Sequence, residues 1–66
     1  MAPTSDIDRL YAEIRTYLDG CIEYWRDKRA GATSEEIRTM AIHYIDAFQS
    51  TRITIFGETL PPDDDG

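Results

Sequence analysis

His43 is the one histidine in the chain. Glu36 and Asp46 stand within two turns of it on a helical wheel, so the first arrangement to consider is an imidazole and carboxylates that could hold a metal. A carboxylate-bridged metal helix uses the Glu-x-x-His order on helices that face one another. Here the order is wrong and the three residues share a polar strip, so an exposed surface histidine is expected. Cys21, also single, falls inside an apolar arc with no basic residue placed to lower its pKa. It is expected as a small core residue rather than a nucleophile. One cysteine leaves no intrachain disulfide and too few ligands for zinc. Ser5, Ser34 and Ser50 lie in no nucleophile elbow, and there is no Gly-rich phosphate loop. The expectation is a protein without catalytic residues, metal or cofactor, and not an enzyme.

The aromatic residues carry more information. Tyr11, Tyr17, Tyr24, Trp25, Tyr44, Phe48 and Phe56 are many for so short a chain, and each reaches an apolar helical face. Tyr17 and Tyr24 lie at the edge of the first such face and Trp25 near its centre. Large amphipathic rings of this kind anchor protein interfaces when they are left outside a core.

The elements that position these side chains follow from periodicity. Ser5 and Asp6 suit a helix N-cap, and Asp8 adds negative charge near the positive end of the dipole. Ile7, Leu10, Tyr11, Ile14, Tyr17, Leu18, Cys21, Ile22, Tyr24 and Trp25 then occupy one arc of about 160°. This predicts a helix over 5–29. Gly20 sits on its outer side as a tolerated surface glycine or a point of close approach. Lys28 and Arg29 suit the C-terminal end, and Gly31 suits a left-handed cap. Thr33 with Glu36 three positions later matches a capping box and opens a second helix over 34–56. The short connection makes the pair an antiparallel hairpin.

The second helix is apolar around most of its circumference. Ile37, Met40, Ala41, Tyr44, Phe48 and Ile55 form one stripe, expected to face the first helix, while Ile42, Ile45, Ile53 and Phe56 form an adjacent set left outside. Arg52–Phe56 alternates enough for a strand. Ile55 nevertheless returns to the stripe, Gly57 stands where a helix C-cap belongs, and a lone strand has nothing to pair with, so helix is expected through Phe56. Pro61 and Pro62 forbid continuation.

Composition bounds the rest. The chain has 66 residues and a net charge of −6, half of it in Asp63, Asp64 and Asp65. That balance argues against direct nucleic-acid binding driven by phosphate neutralisation. No leader pattern and no run of roughly 18 apolar residues occurs, so a soluble, cytoplasmic protein is expected, with no membrane partner. The domain organisation expected is a disordered 1–4, a hairpin domain over 5–60 and a disordered acidic tail over 61–66. Arg26, Lys28 and Arg29 cluster at the turn, either solvated or facing an anionic partner such as the tail of another subunit. A domain this short ordinarily needs a staple, and with disulfide and metal set aside self-association remains.

The segment His43-Tyr-Ile-Asp-Ala-Phe-Gln-Ser-Thr-Arg followed by Ile55-Phe-Gly-Glu-Thr-Leu-Pro resembles the C-terminal part of small uncharacterised proteins encoded by actinobacterial phages. The resemblance covers about a third of the chain and implies a helical accessory protein acting on phage or host proteins. It assigns no functional residue.

Together these features lead to an all-α hairpin that dimerises into a four-helix bundle through helix 2, with Ile42, Ile45, Ile53, Phe56, Tyr17, Tyr24 and Trp25 as the dimer or partner interface. The function expected is a non-enzymatic protein-protein interaction module, plausible as a phage-encoded modulator of a host protein. The competing functions are an acidic nucleic-acid mimic, built on Asp8, Asp19, Glu23 and Asp27, and a small structural part of a virion. Arg9, Arg15 and Arg26 are interleaved with those carboxylates and disfavour the mimic.

Overall fold

The computed structural model describes residues 6–62. The expected disordered start and the acidic run at Asp63, Asp64 and Asp65 lie outside them. Two helices, α1 (Asp6–Ala30) and α2 (Glu35–Phe56), pack as an antiparallel hairpin, and no strand occurs among the described residues. The expected helix ends are each met to within one residue. The alternating segment Arg52–Phe56 is helical, because its side chains continue the wheel of α2 and Gly57 stops it.

The local signals act differently at the C-terminal ends of the two helices. Gly57 caps α2 in the left-handed conformation at φ 83°, and its N–H donates to the Ile53 carbonyl at 2.8 Å. Gly31, expected to do the same for α1, has no positive φ. Instead α1 unwinds through Gly31 N–H to Asp27 O at 3.0 Å and Ala32 N–H to Arg29 O at 3.3 Å. Because the last bond spans three residues rather than four, the helix tightens at its end and needs no left-handed residue. The capping box is also corrected. Ser34, not Thr33, is the N-cap of α2, and its Oγ accepts the Ile37 N–H at 3.2 Å. That puts Ile37 at the position where a box needs Glu, so Glu35 and Glu36 act through charge in the first turn instead.

The larger correction concerns which side of α2 faces α1. Ala41, Ile45 and Arg52 are buried and Phe48 half-buried, so the inward line runs between the two apolar sets. At 100° per residue it is rotated by roughly 50° from the expected stripe. Ile37, Met40, Tyr44 and Ile55, expected inside, are exposed. Ile45, expected outside, is 8% exposed, and Phe56 is half-buried beneath Tyr11 and Arg15. The cause is Arg52. A wheel built on hydrophobicity turns an arginine away from the core, whereas here Arg52 is inside and its partners are there to meet it.

From α1 the core receives Leu18 and the fully buried Ile22. Four apolar residues are thus buried, while eleven large apolar side chains stay exposed among the described residues. An apolar balance this lopsided is unusual for a monomer, whose exposed apolar groups are normally scattered.

Candidate interaction surface

The two broad sides of the hairpin differ. On one side the chain after Gly57 returns along the groove between the helices as a short strap. The Arg52 guanidinium holds its start, donating Nε to Asp19 Oδ1 at 2.7 Å and an Nη to the Glu58 carbonyl at 2.8 Å. Gln49 holds its middle: its amide oxygen accepts the Leu60 N–H at 2.8 Å and its amide nitrogen donates to Leu60 O at 3.1 Å. Arg26 holds its end through Leu60 O at 2.9 Å and Pro61 O at 2.8 Å. Proline offers a carbonyl without a competing N–H, which suits an arginine fork. Asp19, Arg26 and Gln49 are therefore committed to closing this side, and no buried side-chain nitrogen or oxygen among the described residues is left without a partner. The expected tail boundary at Pro61 falls inside this strap.

The opposite side is open. There the rings of Tyr24, Trp25, Tyr44 and Phe48 form a row that crosses from α1 to α2. Trp25 stacks on Tyr44 at 4.4 Å and 11°, Tyr24 meets Trp25 edge-on at 5.2 Å, and Tyr44 lies 6.4 Å from Phe48. Offset and edge-to-face pairs of this kind each contribute about 0.5–1.5 kcal/mol beyond area burial. The row stays wet at its rim, with Tyr24 53% and Tyr44 44% exposed.

Seven-residue spacing places Leu10, Tyr17 and Tyr24 along one line of α1, all exposed, with Ile14 and Cys21 half-buried beside them. Across the groove Ile37 and Met40 extend the surface on α2; Tyr24 and Ile37 line one shallow depression at the turn end. Lys28 lies over the Tyr24 ring at 5.3 Å and marks the edge of the surface. The Tyr17 hydroxyl titrates above the ordinary tyrosine range, first because it is hydrogen-bonded to Cys21, then because negative charge on that sulfur repels a phenolate, and last through burial.

The seven expected interface residues thus separate. Tyr17, Tyr24 and Trp25 belong to the open side. Ile42 and Ile53 are exposed on the flank of α2 that borders the strapped side, Ile45 is in the core, and Phe56 is covered at the far end of the hairpin. Leu10, Ile37, Met40 and Tyr44 were missed as surface residues; the heptad line of Leu10, Tyr17 and Tyr24 was the available signal for the first. His43 is exposed on α2, where it lines a shallow depression with Met40, Glu36 and Thr39, and the described residues contain no group of three or more potential metal ligands. No described helix is long and apolar enough to cross a membrane. No family model, curated protein or solved structure matches the chain.

Proposed function

We propose that the protein is a non-enzymatic interaction module that works by presenting its open aromatic side to another protein chain. The observation that carries this is the row from Tyr24 to Phe48, built across both helices and left exposed at Tyr24 and Tyr44. Solvent-exposed aromatic rows with apolar neighbours supply the desolvated anchors of protein interfaces. The mimic reading loses one of its carboxylates, since Asp19 is turned toward Arg52. Resemblance of residues 43–52 and 55–61 to small uncharacterised proteins of actinobacterial phages supports a phage-encoded modulator of a host protein as the setting.

The test is comparative capture from an actinobacterial lysate with wild-type protein, Tyr17→Lys and Glu13→Lys. Both positions are exposed, so neither change disturbs the hairpin core. Partners that withstand salt, are lost with Tyr17→Lys and are kept with Glu13→Lys support the open side as the working surface. A partner set indifferent to Tyr17→Lys overturns it.

A further inference from the structure

We infer that the occupant of the open side is a second copy of this chain, docked about a two-fold axis so that two hairpins form a four-helix bundle. This rests on the reading of that side as a binding surface and goes on to name what fills it. Two features favour a copy over a stranger, and a third shows that this side is large enough for a stable dimer.

The first is the deficit of the core. With one large side chain fully buried and eleven exposed, the hairpin lacks the buried surface that a chain of this length needs, so its cover belongs to the folded state itself. A cover required from synthesis onward is best supplied by the same gene product, whose concentration rises with its own.

Charge is the second. The chain carries −6, so two copies repel wherever acidic groups meet. At a two-fold axis each residue near the centre meets its own duplicate, and a charge there faces a like charge. The Trp25–Tyr44 stack and the Arg52–Asp19 pair set the level of the two helices, so the middle of the open side is Tyr17, Cys21 and Phe48, with no Asp, Glu, Lys or Arg among them. The charged groups of that side, Lys28, Glu35 and Glu36, gather at its turn end, away from such an axis.

The third is size. Two helices of this length side by side present roughly 35 by 20 Å, on the order of 700 Å². A stable interface needs about 800 Å² per partner. The match holds for the whole side and fails for Ile42 and Ile53, two side chains on a single flank.

Sedimentation equilibrium on the full chain, from low to high micromolar concentration, tests this. The wild type is expected as a dimer, with Tyr17→Lys and Met40→Glu weakening it at least ~30-fold in Kd, while Ile42→Glu and Ile53→Glu leave it intact. Circular dichroism checks that each variant is still helical. The reactivity of the wild-type Cys21 thiol with a disulfide reagent gives a readout that needs no variant: it is expected to rise on dilution as the open side is uncovered. A dimer broken by Ile42→Glu or Ile53→Glu but not by Tyr17→Lys overturns the choice of side. A helical wild-type monomer with Cys21 reactivity independent of concentration overturns the inference. If in that case Tyr17→Lys still abolishes capture of a lysate protein, the binding-surface reading survives without its second copy; if it abolishes nothing, both fall.

Discussion

Arg52 and Asp19 join the two helices across the hairpin, Nε donating to Oδ1 at 2.7 Å, and the same guanidinium reaches past the carboxylate to the Glu58 carbonyl. One side chain thus fixes the separation of α1 and α2 and the start of the strap. At 4% exposure it is also the one buried charged residue among the described residues.

Arg52→Ala removes the buried guanidinium together with its bonds to Asp19 and to the Glu58 carbonyl, whereas Asp19→Asn leaves that guanidinium without its counter-charge. Arg52→Ala is expected to cost about 3 kcal/mol, and Asp19→Asn less, because the carboxylate is 29% exposed and its replacement still accepts a hydrogen bond. Urea denaturation of the two single variants and the double variant measures the coupling. Additive losses would show that the contact carries no shared energy.

The cap of α2 separates two neighbouring hydroxyls. Ser34→Ala removes the acceptor for Ile37 N–H and is expected to destabilise by about 1 kcal/mol, whereas Thr33→Ala should change little. Gly57→Ala, at φ 83°, is expected to cost about 1 kcal/mol as well. Thermal unfolding of the three variants ranks them, and equal losses at positions 33 and 34 would return the cap to Thr33.

The strap hangs on a side-chain amide. Gln49→Leu removes both bonds to Leu60, so the Leu60 amide should exchange with solvent much faster while amides in the middle of α2 keep their protection. Hydrogen exchange read residue by residue decides this. Uniform loss of protection along α2 would mean that strap and helix open together.

Tyr17 gives a dependence on pH. Its ionisation in the folded state is displaced upward, so below the unfolded value of about 10 its contribution to stability is fully present, and it is lost as pH rises through the folded value. The phenolate absorbance should contain a late component that is missing in Tyr17→Phe. Since the bond to Cys21 is the leading cause, Cys21→Ala should move that component down. A late component untouched by Cys21→Ala would assign the shift to another neighbour.

The hairpin itself was legible because the period of α1 is unambiguous and the turn is short. Residues 52–56 were legible for a related reason: Gly57 and the return of Ile55 to the wheel outweigh the β-branched composition. The facing of α2 was not. Its apolar residues surround most of the wheel, so hydrophobicity gave no single direction, and the true inward line passes through Arg52, whose burial depends on Asp19, 33 positions earlier. The strap was hidden for the same reason. Its hydrogen-bonded anchors are backbone groups of Glu58, Leu60 and Pro61, so no side-chain pattern in 58–62 announces them, and its one ion pair, Glu58 with Arg15 at 3.6 Å, joins two exposed side chains.

By tucking its own C-terminal segment against one broad side, the hairpin becomes handed in a practical sense: it has a back and a front. Helical hairpins with two adhesive sides can add units at both and grow without limit into fibres, the open-ended outcome of non-closing contacts. Here Arg26, Gln49 and Arg52 fasten the back to the chain's own carbonyl groups, and whatever docks on the front finds no equivalent surface behind it. For any assembly built on the front alone, the strap would thereby be a terminator, closing the back to further copies.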